Sequence, residues 1–199
     1  MTSATNIKQY DKYDIINIFL FISSNPNCSR KNICDFVEIG EGSLKSILNI
    51  LEKNQLIKKS KTGNCLSEKG NLLYKKIKKE IDNIIKLSYD IFKDGFHVFS
   101  LKVKKYEKTK IIHAFMARDY AIRCGCWSAM ILIYDGENLK LNVEEKYSFD
   151  EIKNHFILNK DELVVVVSAQ TNRLAINGIL RVIEYLNENL NKSFNLFNI

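Results

Sequence analysis

This chain is short of the residues that break, staple or metallate a fold. Proline occurs once, at Pro26, amid abundant lysine, isoleucine and asparagine, a composition that an AT-rich coding sequence gives. Cysteines number five, an odd count whose spacing repeats no secreted disulfide framework, so a reducing cytoplasm is the expected compartment. Apolar runs are short as well: residues 15–22 and 163–167 are the longest, and neither could cross a bilayer. The opening MTSATNIKQYDKYD has no apolar core of the signal-peptide kind. His97, His113 and His155 show no ligand-like spacing, and Cys124 with Cys126 would need two further ligands to hold zinc. Those two cysteines flank Gly125 and read as buried apolar thiols. No Ser-His-Asp, Cys-His or paired-carboxylate arrangement stands out, so no catalysis, metal or cofactor is expected. No internal repeat or low-complexity tract is visible.

What the chain does have is positive charge, unevenly placed. The formal net charge is +7, yet Lys53, Lys58, Lys59, Lys61, Lys69, Lys75, Lys76, Lys78 and Lys79 stand in one segment against Glu68 alone. The whole surplus therefore sits in that segment, which points to a polyanionic partner rather than to general solubility. Hydrophobic residues at 46% and aromatics at 11% are enough to build real cores. A length of 199 residues suits two small domains better than one.

Residues 14–24 carry a dense apolar run that predicts a buried first helix, stopped by Asn25 and Pro26. Ser29 is an N-cap for a second helix in which Ile33, Phe36 and Val37 repeat at three and four residues. A turn follows at 38–41, with Gly40 available for a positive φ. The third helix begins near Gly42 or Ser43 and buries Leu44, Ile47, Leu48 and Leu51, leaving Ser43, Lys45, Ser46 and Asn49 outward. Residues 55–60 and 64–67 read as a short hairpin around a Lys-Thr-Gly turn. This is the layout of a winged helix-turn-helix, in which residues early in the second helix of the motif meet base edges and the wing lies on the backbone. Lysine can contact guanine acceptors and asparagine can pair with adenine, whereas Lys58, Lys59 and Lys61 suit phosphates. The candidate DNA-binding set is Ser29, Arg30, Ser43, Lys45, Ser46, Asn49, Lys58, Lys59, Lys61 and Thr62.

From Ser67 the helical spacing of Leu72, Leu73, Ile77, Ile81, Ile84, Ser88 and Ile91 predicts one long helix to about residue 92, roughly 35–40 Å at 1.5 Å per residue. Such a helix would link two domains, pack against its twin in a homodimer, or both. The expected division is thus 1–80 for the winged helix, 81–95 for the end of a linker and dimerisation helix, and 96–199 for a second domain.

In that second part, 97–105 alternates as a strand, and 111–123 reads as a helix with Ile112, Phe115, Met116, Tyr120 and Arg123 on one face. Residues 125–134 and 139–143 read as strands joined at Asp135-Gly136, and 149–156 as a short helix. Residues 163–169 form a continuous apolar run, the pattern of a strand buried on both faces, before a final helix over 173–190 capped by Thr171 or Asn172. The tail SFNLFNI packs as an edge segment or frays. The fold class is therefore α+β: a winged helix-turn-helix, a long linker helix and a C-terminal α/β domain with a mixed sheet. Two places there could hold a ligand. Arg118 and Arg123 with Asp119 could make a polar cluster, though Asp119 and Arg123 also suit a solvated i, i+4 pair. Ser168, Gln170, Thr171 and Asn172 lie between a strand end and a helix start, where free N–H groups hold anions, although no glycine-rich phosphate loop accompanies them and simple capping explains Thr171 equally well.

Three pieces of the first part stand in a recognisable order: Gly40-Glu41-Gly42-Ser43-Leu44-Lys45, Gln55-Leu56-Ile57 and Leu66-Ser67-Glu68-Lys69-Gly70. The stretch resembles the winged-helix transcription regulators of archaea and bacteria over about a third of the chain. The line ARDYAIRCGCWSAMILIYDGENLKL at 117–141 is similar to an uncharacterised C-terminal domain found behind winged helices in archaeal regulators, with Cys126 and Ser128 where that line has small residues and Trp127 larger than is usual nearby. The resemblance implies a cytoplasmic DNA-binding transcription regulator whose second half senses an effector or binds a partner. The expected partners are double-stranded DNA, a second copy of the chain and a small-molecule effector. The alternatives are an RNA- or protein-binding module and an enzyme carrying a nucleic-acid-binding domain.

Overall fold

The structure, a computed structural model, describes residues 9–112, 114–141 and 148–198. His113 and the expected strand end at 142–143 lie outside the described residues.

The first half is built as the periodicity predicts. Helix α1 (Lys12–Ser24) starts at a capping box made by Asp11 and Asp14 and buries Ile15, Ile16, Ile18, Phe19 and Ile22. Ser29 caps α2 (Arg30–Val37), the N–H of Asn32 donating to its Oγ at 3.1 Å. Helix α3 (Glu41–Lys53) buries Leu44, Ile47, Leu48 and Leu51 on one stripe. The left-handed residue between α2 and α3 is Glu38, at φ 56°, while Gly40 serves as an extended N-cap at φ −66°. The positive φ expected of Gly40 thus falls two residues earlier.

Strands β1 (Ile57–Ser60) and β2 (Gly63–Leu66) form the wing, and an isolated antiparallel bridge from Cys28 to Asn64 adds a third strand position. Gly63, at φ 133°, lets the wing turn lie against Asn27, whose carbonyl oxygen would stand 2.4 Å from any Cβ there. Helix α4 (Glu68–Lys78) is capped by Ser67, and Gly70 lets its first turn sit on the carbonyl of Leu56.

Here the linker reading fails. No long helix runs from 67 to 92: α4 ends at Lys78, and β3 (Ile81–Lys86) follows as an edge strand. Ile81 and Ile84 satisfy a helical period, but β-branched isoleucines flanking Asp82 and Asn83 favour strand over helix once an edge is available. The available edge is β4 (His97–Val103), which pairs antiparallel with β3 through a register shift between Ile81 and Ile84. The Lys104 ammonium closes the end of α4 by donating to the Lys78 carbonyl at 3.0 Å.

After β4 come the short α5 (Lys108–Ile111), α6 (Ala114–Arg123), β5 (Ser128–Tyr134), β6 (Leu139–Leu141), α7 (Asp150–Lys153), β7 (Leu163–Ala169), α8 (Asn172–Leu186) and α9 (Glu188–Phe194), with a final 3-10 turn over Asn195–Phe197. The sheet order is β3-β4-β7-β5-β6 and every neighbouring pair is antiparallel, so the expected mixed sheet is corrected to an antiparallel one within the same α+β class. Central β7 is buried along its whole length, as its apolar run predicts. One face of the sheet meets α8 and the winged helix in a single continuous core. The other face carries a smaller cluster of Leu87, Val98, Leu132, Leu139, Phe149, Ile152, Val164 and Val166.

Two further expectations are revised. The apolar row expected over 111–123 points outward: Ile112, just before α6, is 69% exposed, and on α6 Phe115 is 61%, Met116 43% and Tyr120 42%, the buried positions being Ala117 and Ala121. The final helix breaks at Asn187, where α9 begins, and the tail neither frays nor pairs as an edge. Phe194 and Phe197 are fully buried, with the Phe197 ring 5.2 Å from that of Phe19 on α1.

Candidate nucleic-acid interface

The exposed side of the winged helix is built by α3 and the wing. Lys45, Ser46 and Asn49 are exposed on α3, and Ser43 is half-buried at its start. No other part of the described chain covers Lys45 or Asn49. The Ser46 hydroxyl donates to the Gly42 carbonyl at 3.1 Å. Arg30 and Lys31 lie on the first turn of α2, and together with Lys45, Asp35 and Glu41 they border an open hollow of about 640 Å³. Ser29 is occupied as a helix cap, so its hydroxyl is not free to meet DNA without giving up that role.

On the wing, Lys58, Lys61 and Thr62 are exposed. Thr62 lies in hydrogen-bond range of Ser60, 2.7 Å between their hydroxyl oxygens, and of Asn27 at 3.4 Å. Lys59 differs from its neighbours. Its ammonium reaches back to α3, donating to Glu52 at 2.6 Å and to the Asn49 carbonyl oxygen at 2.9 Å. It therefore fixes the wing against α3 and uses one of the two edges of the Asn49 amide. Sequence reasoning groups the three wing lysines together, and the geometry separates them.

The second set of candidates does not come together as a pocket. Arg118 and Arg123 are exposed on α6 and, among the described residues, neither pairs with Asp119 nor bonds to 168–172. Ser168 is buried and donates to Asp94 at 2.5 Å, Gln170 is exposed, and Thr171 caps α8, accepting from the Leu174 N–H at 3.2 Å. The anion expected at the start of α8 is present, but it belongs to the chain: the Glu38 carboxylate accepts from the Asn172 N–H at 2.8 Å. The Asn172 side chain donates to the Phe36 carbonyl at 3.0 Å and accepts from Lys86 at 3.1 Å. Asn172 is thus a rivet between α2 and α8, and its role as part of a ligand pocket is withdrawn.

The same joining is stronger along α1 and α8. Asp14, 1% exposed, takes a two-point contact from Arg173 at 2.7 Å and a bond from Asn177 at 2.7 Å. Burial pushes its carboxyl up, but the Arg173 guanidinium, the Asp11 N–H and the Asn177 amide outweigh that and hold it below the ordinary carboxylate range. Beside it Arg181 pairs with Asp11 and lies 4.0 Å over the Tyr13 ring, and Glu184 accepts from Lys12 and Tyr13. Burial and the Glu184 carboxylate push the Tyr13 phenol well above its usual value. Sequence reasoning missed this seam. Its signal is a polar residue at every fourth position of α8, Arg173, Asn177 and Arg181, facing an aspartate one residue before the apolar run of α1.

Cys126 is buried in the core, as expected of an apolar thiol, and Cys124 is partly buried against it. They sit at the turn after α6 with sulfurs 3.7 Å apart, and the Leu174 carbonyl, 3.2 Å from the Cys126 sulfur, is the alternative acceptor for its single S–H. The hydrogen bond from Cys126 brings the Cys124 thiol down to about 7, against its burial, while the same bond and burial push Cys126 up. Among the described residues no group of three or more His, Cys, Asp or Glu could hold a metal ion, and no helix is long and apolar enough to cross a membrane.

Comparison with known proteins gives the same two-part order. Residues 13–72 match the family model of the PH0730-like N-terminal domain, and residues 95–186 match a domain of unknown function, DUF4443. Among solved structures, the hypothetical protein PH0730 from Pyrococcus horikoshii OT3 superposes with a TM-score of 0.75 at 22% identity, over 93% of this chain and 100% of that one. At that identity the likeness is one of fold. No curated protein matches. Segment by segment, the chain is similar to a PH0730-like N-terminal domain followed by a DUF4443 domain, and in fold to an archaeal protein of known structure.

Proposed function

We propose that this protein is a DNA-binding transcription regulator, with α3 entering the major groove and the wing lying on the flanking phosphates. The observation that carries the reading is that Lys45, Ser46 and Asn49 on α3 and Lys58 and Lys61 on the wing are all solvent-exposed on one small domain, with Lys59 tying the wing to α3 between them. The opposite side of that domain is spent on packing against the sheet, so the cationic side is the one left for a partner. Lys58 and Lys61 contact phosphates, Lys45 and Asn49 read base edges, and Lys59 sets the angle between wing and helix.

Operator binding is by a homodimer, because one winged helix buries less surface than specific DNA complexes usually do. The dimer no longer has a long helix to form on. Any effector acts through the seam between the two halves rather than by spacing two heads along a helix.

The test is titration of duplex DNA and of structured RNA by fluorescence anisotropy across a salt series. A duplex preference with a steep salt slope is expected. Equal affinity for both, or a flat slope, returns the RNA- or protein-binding alternative. Light scattering that gives a monomer at binding concentrations removes the dimer.

A further inference from the structure

A cavity of about 300 Å³ lies where the winged helix meets the sheet, between α1, α2, α4, β3 and α8. Its apolar walls are Leu20, Phe21, Phe36, Ile84 and Ile176, and the rings of Phe21 and Phe36 stand 4.8 Å apart on one side. That volume is at the low end of what small-molecule sites enclose, and such sites combine apolar walls with a few placed polar groups.

The polar groups here are uneven in a way that selects a ligand charge. Lys78, Lys102 and Lys104 surround the single carboxylate of Asp82. Lys104 and Lys102 hold it at 2.8 and 3.0 Å, whereas Lys78 stands 3.9 Å away and otherwise donates to the neutral Asn83 side chain at 2.9 Å. Lys102 has a second carboxylate, Glu162, at 3.5 Å. Lys78 is therefore the least compensated of the three cations, and it lines the cavity beside Asp82, whose carboxylate is already engaged by Lys104 and Lys102. Burial, with Lys104 and Lys102 adding to it, lowers its pKa against the pull of Asp82, the mark of a half-buried ammonium short of negative charge. Asn17, 2% exposed, also lines the cavity, and among the described residues its side chain makes one bond, at 3.5 Å to Asn177, so its amide has capacity left for a ligand.

We infer that this cavity is a binding site for a small monocarboxylic acid with an apolar body, its carboxylate on Lys78 and its body against Phe21, Phe36 and Ile84. The occupant touches α1, α2 and α4 of the winged helix and β3 and α8 of the other half together, so its binding energy falls on the joint between them. The inference deepens the regulator reading by naming the effector class, but the site itself does not require DNA to be the partner.

Binding is measured first without DNA, by calorimetry and amide chemical-shift mapping on the full chain, with phenylacetate, indoleacetate and octanoate as probes. Phenylacetamide and phenethylamine serve as the neutral and cationic counterparts. At least one acid should bind saturably, about tenfold tighter than its uncharged counterpart, with shifts centred on Tyr74, Lys78 and Ile84. Lys78→Met should remove that tenfold preference and leave amide binding unchanged. Ile84→Trp should fill the cavity and abolish both, with thermal unfolding checking that the variant is folded and Leu20→Phe as a second filling variant.

No saturable binding by any of the three acids overturns the inference. So does equal affinity for acid and amine, or acid binding that survives both filling variants. A DNA titration with and without the best acid then separates the two claims. DNA binding unmoved by a bound acid removes its role as effector, and acid binding without any DNA affinity removes the regulator reading while leaving the site.

Discussion

The winged helix handles charge in opposite ways on its two sides. On the seam, Asp14 is shielded from water and hydrogen-bonded at 2.7 Å to Arg173, whose side chain stays 29% exposed, with Asn177 satisfying the carboxylate further. On the outer side, Lys45, Lys58 and Lys61 stand exposed, and no ion pair among the described residues engages them. A buried pair fixes geometry, since breaking it strands a charge in low dielectric. Exposed cations contribute little to stability and keep their full charge for a partner. The contrast teaches which side holds the molecule together and which is available for function.

The largest effect that could break this contrast is on the seam. Asp14→Ala should destabilise the fold by about 2 kcal/mol, read by chemical denaturation, because Arg173, Asn177 and the Asp11 N–H lose their shared buried acceptor. A loss well under 1 kcal/mol would make the seam an ordinary surface pair. On the outer side, Lys58→Ala with Lys61→Ala should leave the melting temperature unchanged. It should weaken duplex binding by about 1 kcal/mol per lysine and lower the salt slope by about 2. Asn172→Ala, which removes the rivet on Phe36 and Lys86, should cost about 1–2 kcal/mol of stability with no direct effect on the cationic face.

The contrast also has a pH form. Asp14 has its folded pKa depressed, so its contribution is present above the ordinary carboxylate pKa and is lost as the pH falls through the depressed folded value. Stability should therefore drop more steeply in acid for the parent chain than for Asp14→Asn, as thermal melts across that range would reveal. The smallest effect is chemical. Cys124 should react with iodoacetamide at a rate rising through about pH 7, and Cys126→Ala, which removes the donor, should move that rise towards the ordinary thiol range.

How far the sequence could be read differs between the halves for physical reasons. In the winged helix the apolar stripes, the Ser29 and Ser67 caps and the wing turn at Gly63 are local, and each is found where the spacing puts it. Lys59 could be read as a wing cation, but its bond to Glu52 depends on the angle between wing and α3, which no spacing encodes. Over 112–120 the larger side chains of Ile112, Phe115, Met116 and Tyr120 make the more obvious row. The packed row is alanine, because α6 lies close against α8. For 168–172, the helix start was legible and its attraction for an anion was correct in kind, but the carboxylate comes from Glu38, far away in the chain.

By itself, then, the sequence determined the local elements of the first half, the buried central strand and the gathering of lysines, since all of these rest on residue type and short-range period. Tertiary structure alone decided that residues 81–86 become an edge strand instead of continuing α4, and that α1 and α8 are joined by buried charge. Strand pairing and charge burial are settled by whichever partner arrives from elsewhere in the chain. Isoleucines at 81 and 84 satisfy either period until β4 offers an edge.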